Sequence, residues 1–189
     1  MVEARAAGRA ERTRARLLEC ALELFERQGY EQTPVAQIAA AAGVTEMTFF
    51  RHFPTKSQVL FEDPYDPLIA TAIAGQPRTL SPLLRTVRAI RHAWTGLPTP
   101  DSNFVRRRVR IIATTPSLRG EVWRNSAATE QIIVEQLVQD GTALLKARVA
   151  AAAVLSALTV ALMEWSRHED IDLIAAVAIA LETLEPSDG

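Results

Sequence analysis

The sequence predicts an all-α protein built from a small N-terminal head and a larger helical body. Apolar residues recur with a period near 3.6 along almost the whole 189-residue chain, and no segment alternates convincingly with period 2. Four prolines interrupt the stretch from residue 61 to residue 82, which is typical of a transition between two structural parts. We therefore expect a head over residues 1–61 and a body over residues 62–189.

Start and stop signals divide the head into short helices. Gly29 follows the first helix, where a glycine that adopts positive φ is a common stop signal. Thr33 and Pro34 form a pattern of N-cap and first helical residue. Thr45 is the next candidate cap, and Pro54 ends the helix that it starts. The predicted head helices cover residues 11–28, 34–42 and 46–53, and a fourth starts at the capping-box pattern of residues 55–58.

The body shows five further helical stretches. One contains an uncharged apolar run from Val149 to Met163, which is shorter than the roughly 18 to 20 residues that a membrane span needs. Its many alanines and the flanking charges of Arg148 and Glu164 favour a buried helix, so we expect no membrane contact. The stretches with helical periodicity cover residues 83–94, 104–113, 116–138, about 145–167 and 171–184.

Overall composition does not indicate a nucleic-acid partner, because the net charge is −1 and the isoelectric point about 6.3. Any such partner must be argued from local placement of charge. The single cysteine, Cys20, excludes an intrachain disulfide framework. Together with the lack of a secretory signal near Met1, it predicts a cytoplasmic protein.

Catalytic and metal-binding motifs are absent from the sequence. It contains no HExxH, no Gly-rich phosphate loop and no paired metal motif. His168 beside Glu164 and Asp170 leaves two interpretations, a metal site or a solvated charged cluster, and we favour the cluster. We therefore expect neither catalytic residues nor a cofactor nor a bound metal.

The residues around Gly43 predict a helix-turn-helix, because two short helices meet at a glycine that can adopt positive φ. Phe49 and Phe53 lie four residues apart and are expected to share a buried face against the first helix. The remaining residues of the third helix then face outward. They form either a mixed polar surface or a surface that contacts bases in a DNA major groove.

The combined head motifs resemble the N-terminal DNA-binding domain of the TetR family of regulators. The matching stretch is RLLECALELFERQGYEQTPVAQIAAAAGVTEMTFFRHFPTKSQVL, residues 16–60. The resemblance implies an all-α homodimer that binds an inverted-repeat operator on double-stranded DNA. It also implies a repressor that is released when the body binds a small-molecule effector. An activator or a ligand-independent DNA-binding protein is an alternative, and a helical protein-interaction module without DNA binding is an alternative of a different class.

The resemblance also implies which side chains meet DNA. Thr33 and Lys56 would contact phosphates, and the third helix would contact bases or backbone. Arg12 and Arg16, at the start of the first helix, are further candidates for phosphate contacts. The full set of DNA-binding candidates is Arg12, Arg16, Thr33, Thr45, Glu46, Met47, Thr48, Phe50, Arg51, His52 and Lys56.

The head is only weakly basic. Between residues 31 and 61 two basic residues are cancelled by two glutamates, and residues 3–16 add five arginines against two glutamates. This N-terminal arm either enters a minor groove or only keeps the chain soluble. A carboxylate at position 46 is unusual on a surface that meets DNA, because it is repelled by the phosphates. It either reads cytosine through the N4 amino group, or turns away and pairs with a neighbour such as Arg51.

The tryptophans of the body are interpreted either as ordinary core or as the lining of a ligand cavity. Arg108 either lines that cavity, where it could accept an anionic group, or lets its stem run past the core, which we favour. The arginines at positions 106, 107, 108 and 110 are interpreted mainly as a solvated face, with pairing to nearby acidic residues or contact with the head as alternatives. The pocket candidates are Trp94, Phe104, Arg108, Trp123 and Met163.

The last two helices are expected to form the contact between two copies of the chain. Each carries an apolar stripe, and a four-helix bundle made from two copies would bury the surplus apolar surface. Packing entirely within one chain is the alternative. The interface candidates are Leu155, Leu158, Leu162, Trp165, Ile174, Val177, Ala178 and Leu181.

Overall fold

The computed structural model describes residues 2–61, 66–96 and 102–185. Over these ranges the chain forms ten α-helices and one 3-10 helix and contains no strand, so the predicted all-α class is confirmed. The helices are α1 (Val2–Gln28), α2 (Val35–Ala41), α3 (Glu46–His52), α4 (Gln58–Phe61), α5 (Asp66–Ala74), α6 (Pro82–Gly96), α7 (Ser102–Thr114), the 3-10 helix η1 (Pro116–Leu118), α8 (Arg119–Gln139), α9 (Leu144–Trp165) and α10 (Leu173–Thr183).

Most predicted helix boundaries agree with the structure to within a few residues, but two segments differ. α1 begins at Val2 rather than at residue 11, so the N-terminal arm continues the first helix. α5 lies in the proline-rich stretch 61–82, where the sequence analysis predicted only a transition. Pro67 is the second residue of α5, a position in the first helical turn where the missing N–H costs no helical hydrogen bond.

The turn between α2 and α3 is built on Gly43, whose φ is +65°. In this left-handed conformation the Gly43 N–H donates to the Ala40 carbonyl at 3.0 Å, which ends α2. Thr45 then begins α3, since its hydroxyl oxygen accepts a hydrogen bond from the Thr48 N–H at 3.2 Å. The predicted glycine turn and threonine cap are both confirmed.

The predicted capping box at the start of α4 is also present. The Thr55 N–H donates to the Gln58 Oε1 atom at 3.2 Å, and the Gln58 N–H donates to the Thr55 hydroxyl at 3.4 Å. α4 is only one turn long, and both Val59 and Leu60 are buried. The helix is therefore held by its cap and by the core beneath it.

The head and the body share one apolar core. As predicted, Phe49 and Phe53 are buried against α1, beside Leu17. Ile111 of α7 and Leu118 of η1 are buried in the same cluster, although both belong to the body. The head is consequently packed onto α7 and η1, and a movement of either element is expected to move the head.

The rest of the body packs around α9, which contacts α6, α7, α8 and α10. α9 is long and apolar enough to cross a membrane by length and composition alone. One of its faces is buried through residues such as Ala151 and Val154, while Val149 and Val160 lie on the surface. The expectation of a buried helix is therefore correct for only one face of α9.

A buried ion pair joins α6 to the end of α8. The Arg85 Nη2 atom donates to the Asp140 Oδ2 atom at 2.6 Å and to the Ile73 carbonyl at 3.1 Å. The Arg85 and Asp140 side chains are only 2% and 5% exposed. The hydrogen bonds from Arg85 and then from Gln136 hold the pKa of the Asp140 carboxyl below its usual value. This pair therefore fixes the packing of α6 against the end of α8.

Candidate DNA-binding face and ligand cavities

The outward face of α3 consists of exposed side chains that have no role in the core. The inward face is occupied by Phe49, whose ring meets the rings of Phe50 and Phe53 at centroid distances of 5.5 and 5.6 Å. Burial of Phe49 sets the rotation of the helix about its axis. Met47 is 74% exposed and Phe50 45%. At 100° per residue, the outward side chains follow the order Glu46, Phe50, Met47 and Arg51 around the helix.

Thr45, which caps α3, and Thr48 in its first turn are already hydrogen-bonded at the N-terminus of the helix. The hydroxyl groups of Thr45 and Thr48 lie 3.0 Å apart and are hydrogen-bonded to each other. The Thr45 hydroxyl also accepts from the backbone at position 48. Both hydroxyls thus stabilise the first turn of α3. A base contact by Thr48 would use its methyl group or a second hydrogen bond of its hydroxyl.

The C-terminus of α3 is held by a residue that the sequence analysis did not select. The Arg14 Nη1 atom donates to the His52 carbonyl at 2.8 Å, and the guanidinium lies over the Phe53 ring at 4.3 Å. No local pattern distinguishes Arg14 from the other arginines of the N-terminal arm, so only the packing of α1 against α3 identifies it. The His52 side chain is partly exposed at this end of the helix.

The predicted cap by Thr33 is wrong. Pro34 occupies the N-cap position of α2, and Thr33 is fully buried. The Thr33 hydroxyl donates to the Gly29 carbonyl at 2.7 Å and accepts from the Gln28 Nε2 atom at 3.1 Å. Its side chain closes the turn after α1 and has no surface to offer a phosphate.

Lys56 also turns inward. Its Nζ atom donates to the carbonyls of Tyr30 at 2.8 Å and Thr33 at 3.1 Å, and it lies 4.1 Å from the centroid of the Tyr30 ring. Burial lowers the pKa of the Lys56 ammonium, and the charge of Glu31 partly opposes that shift. The ammonium thereby ties the start of α4 to the turn between α1 and α2, instead of extending into solvent as a phosphate contact requires.

Arg12 and Arg16 are exposed on α1. The Arg16 guanidinium lies beside the turn of the helix-turn-helix, where a Cβ atom added at Gly43 would meet its Nη2 atom at 3.4 Å. Both positions remain candidates for phosphate contacts next to the α3 face.

The arginine run of α7 is not the solvated face that we favoured. The Arg107 guanidinium forms a two-pronged contact with Glu26 of α1, at 2.8 and 2.9 Å, and donates to Glu19 of α1 at 2.7 Å. These hydrogen bonds raise the pKa of Arg107 further above its usual value. Arg108 donates through Nε and Nη2 to the Leu60 carbonyl, at 3.1 and 2.6 Å. Both side chains connect α7 to the head, the alternative that the sequence analysis left open.

The other two arginines of the run connect α7 to the end of α9. The Arg106 guanidinium donates to the carbonyls of Trp165, His168 and Ile171, and lies 4.2 Å from the centroid of the Trp165 ring. Arg110 donates to the Ser166 carbonyl at 3.1 Å. One helix therefore holds the head on one side and the loop after α9 on the other.

Two cavities of about 160 Å³ each lie between the helices of the body. The first is lined by Arg108 and Met163 and reaches Leu60 of the head. The second is lined by Trp94 together with apolar side chains of α6, α9 and α10. The residues that line both cavities are Asn125, Ser126, Thr159 and Leu162. The two cavities therefore adjoin; the first reaches Leu60 and the second reaches Trp94.

Two of the five pocket candidates lie elsewhere. Trp123 is 75% exposed and lines an open groove between α8 and α9. Phe104 packs against the shared core of head and body and lies 5.9 Å from the Arg108 guanidinium. Asn125 and Ser126 were not selected as pocket residues, since a single polar residue on a mixed helix has no distinguishing signal.

The structure separates the interface candidates into buried and exposed residues. Trp165, Val177 and Leu181 are buried within the chain, so they are not available to a second copy. Trp165 is enclosed because the loop after α9 folds back, and its Nε1 atom donates to the Ile171 carbonyl at 3.0 Å. Leu155, Leu158 and Leu162 line the second cavity. Ile174 is 58% exposed, and Ala178 is partly exposed on the same face.

The charged cluster near His168 is solvent-exposed. Its Nε2 atom lies 3.8 Å from the Glu164 carboxylate, and both side chains are more than half exposed. Within the described ranges, no group of three histidines, cysteines or acidic residues could hold a metal ion. Desolvation raises the pKa of Cys20, which is reduced and partly buried.

Known proteins resemble both parts of the chain. The family described as "Bacterial regulatory proteins, tetR family" matches residues 17–62, and the family described as "MftR C-terminal domain" matches residues 81–188. The HTH-type transcriptional regulator TcmR of Streptomyces glaucescens is 33% identical over 93% of this chain and 84% of its own length. The putative mycofactocin biosynthesis transcriptional regulator MftR of Mycobacterium tuberculosis is 25% identical over 96% of this chain and 94% of its length.

Solved structures share this fold. The crystal structure of NalD, described as the secondary repressor of the MexAB-OprM multidrug efflux pump in Pseudomonas aeruginosa, superimposes with a TM-score of 0.59 and 26% identity. The match covers 94% of this chain and 95% of NalD. The sequence relatives, the head geometry and this architecture agree: the chain belongs to the TetR family of bacterial regulatory proteins and is a transcriptional regulator.

Proposed function

We propose that this chain is a cytoplasmic, homodimeric repressor that binds an inverted-repeat operator and is released by a small-molecule effector. The observation that carries the proposal is the exposed strip on α3, held outward by Phe49 inside a head that matches the TetR family. Family relatives are named as transcriptional regulators, and NalD is named as a repressor.

Direct DNA contacts are assigned to the outward residues of α3 and to α1. Glu46, Met47, Phe50 and Arg51 would face the bases, with His52 at the edge of the strip. Arg12 and Arg16 would contact phosphates beside it. Thr33 and Lys56 are assigned to the internal structure of the head, because their polar atoms bond to neighbouring carbonyls.

A dimer is supported by apolar side chains that one chain leaves exposed on its last two helices. Val149 and Val160 of α9 are 61% and 63% exposed, and Ile174 and Ile179 of α10 are 58% and 55% exposed. Burying these four positions between two copies would remove apolar surface from water. A two-fold axis between the copies would present two α3 helices to successive major grooves about 34 to 36 Å apart.

Effector binding is assigned to the two adjoining cavities. Their lining is mostly apolar, with Trp94 at one end and the neutral polar side chains of Asn125 and Ser126 in the middle, which suits a small apolar molecule with a hydrogen-bonding group. An effector that binds better to the DNA-incompetent arrangement shifts the population away from the operator. Arg107 and Arg108 of α7 would transmit that shift, since they connect the cavity wall to α1 and α4.

The proposal is tested by selecting bound fragments from the genomic DNA of the host organism with the purified chain. We expect an inverted repeat, two chains per site and a steep loss of affinity as salt rises. Val160→Glu places a charge on the proposed interface and should yield a monomer with at least tenfold weaker operator binding. Leu68→Glu, at an exposed position on α5, is the matched control and should remain dimeric.

A wild-type chain that enriches no sequence, or a monomeric Val160→Glu variant that binds the operator as tightly as the wild type, would refute the proposal. The neighbouring genes of the selected fragments indicate candidate effectors. An effector of this class should lower operator affinity and raise the melting temperature of the wild-type chain.

A further inference from the structure

We propose that Glu46 and Arg51 determine the base preference of the operator, with Glu46 selecting a cytosine and Arg51 a guanine about two base pairs away. This inference rests on the proposed function, because it assumes that the α3 strip enters a major groove. It concerns the chemistry of two side chains in this particular sequence rather than the general docking of the fold.

The two side chains lie at opposite rims of the exposed strip. Their positions differ by five, so they point about 140° apart around the helix axis at 100° per residue. Ion pairs along a helix require a spacing of three or four residues. The described part of the chain shows neither a hydrogen bond nor an ion pair for Glu46 or Arg51, whereas Glu19 and Glu26 of α1 are both paired with Arg107. The alternative in which Glu46 pairs with Arg51 is therefore not supported.

An unpaired carboxylate on a surface that meets phosphates is unfavourable unless it accepts hydrogen bonds from DNA. Two bases offer an amino donor in the major groove, adenine through N6 and cytosine through N4. Adenine also presents the N7 acceptor beside its amino group, and this lone pair repels a carboxylate. Cytosine presents the amino group without an adjacent acceptor, so it is the base that suits Glu46.

At the other rim Arg51 has the opposite chemistry. A guanidinium carries donors in a planar fork, which matches the O6 and N7 acceptors of guanine. The rise along a helix is about 1.5 Å per residue, so five residues span about 7.5 Å, or roughly two base-pair steps of 3.4 Å. Met47 and Phe50 lie between the two rims, where apolar groups can contact thymine methyl groups.

Other polar side chains of α3 do not compete for this role. The Thr48 hydroxyl is bonded to Thr45, and the partly exposed His52 side chain lies beyond the edge of the strip, outside the arc between Glu46 and Arg51. Among the four outward side chains, Glu46 is the acceptor and Arg51 is the donor. Hydrogen bonds from the outward strip to base edges would therefore come from one carboxylate, Glu46, and one guanidinium, Arg51.

The test is selection from random double-stranded DNA by full-length wild type and by Glu46→Ala, Glu46→Gln and Arg51→Ala. The matched controls are Glu23→Ala and Arg27→Ala, which change exposed residues of α1. In each half-site the wild type should prefer a cytosine and, about two base pairs away, a guanine, and replacing the cytosine should weaken binding about ten- to a hundredfold. Glu46→Ala should abolish that preference and leave the remaining positions unchanged. Arg51→Ala should abolish the guanine preference.

Glu46→Gln supplies a gain of specificity that misfolding cannot produce. Glutamine pairs with the N6 and N7 atoms of adenine, so the preferred base at that position should change from cytosine to adenine. If the wild type selects an inverted repeat but Glu46→Ala and Glu46→Gln retain its base preferences, this inference is wrong and the proposed function stands. If the wild type selects no sequence, the proposed function fails and this inference fails with it.

Discussion

Replacing Lys56 with methionine distinguishes the internal role that the structure indicates from the phosphate contact that the family resemblance implies. The methionine keeps the apolar stem but removes the ammonium that donates to the Tyr30 and Thr33 carbonyls at 2.8 and 3.1 Å. A hydrogen bond from a charged donor contributes about 1.5 to 3 kcal/mol, and the lower end applies to a half-buried side chain. We expect the free energy of unfolding to fall by about 2 to 3 kcal/mol.

The assay combines urea denaturation, followed by circular dichroism, with operator binding measured across a series of salt concentrations. Each phosphate contact contributes about 0.9 to the slope of log K against log salt, so losing one in each copy of a dimer would reduce the slope by about 1.8. An internal lysine should leave that slope unchanged. Lys146→Met, at the other lysine of the chain, is exposed on α9 and should change stability by about 0.5 kcal/mol or less.

Lys56 has no internal role if Lys56→Met keeps wild-type stability and loses about 1.8 units of salt slope. That result would mean that the ammonium leaves the two carbonyls and binds DNA phosphates. A loss of stability with an unchanged slope would confirm that Lys56 holds the turn between α1 and α2 against α4.

Two further substitutions test the body and the head turn. Asp140→Asn leaves Arg85 buried without its counter-ion and should lower the free energy of unfolding by about 3 to 5 kcal/mol at pH 7. The control is Glu164→Gln, which removes an exposed ion pair and should lower the free energy of unfolding by about 0.5 kcal/mol or less. Folding lowers the pKa of Asp140, so the carboxylate contributes its full stabilisation above the unfolded pKa of about 3.9 and loses it as the pH falls through the folded-state pKa. The difference in free energy of unfolding between wild type and Asp140→Asn, measured by urea denaturation, should therefore shrink below about pH 4. A difference that stays constant with pH would contradict this. Gly43→Ala places a Cβ atom at a residue with φ of +65° and should lower the free energy of unfolding by about 1 to 2 kcal/mol, measured by thermal denaturation. The control is Gly75→Ala, where φ is not positive, and it should lower the free energy of unfolding by less than about 0.5 kcal/mol. Equal effects would show that backbone strain at the turn is not the cause.

Local signals in the sequence were sufficient for the architecture of the head. Gly43 ends one helix and Thr45 starts the next because each acts through atoms no more than a few residues away. The four-residue spacing of Phe49 and Phe53 specified the buried side of α3, and thereby its exposed side. The exposed part of the candidate site could therefore be predicted without the structure.

The roles of long polar side chains could not be predicted in the same way. Lys56 bonds to residues 26 and 23 positions earlier, and Arg107 to glutamates 81 and 88 positions earlier. Such partners depend on which helices pack together. A long charged side chain has the same local pattern whether it extends into solvent or reaches a carbonyl across a helix contact.

By itself, the sequence determined most of the helices, the turn between α2 and α3, the family and which residues lie on the exposed side of α3, because periodicity, caps and motifs act over short spans of chain. Tertiary structure alone decided that Thr33 and Trp165 are enclosed, and that α7 holds both the head and the end of α9. The physical reason is that burial and long-range hydrogen bonds depend on the approach of distant helices, which no single amphipathic pattern specifies.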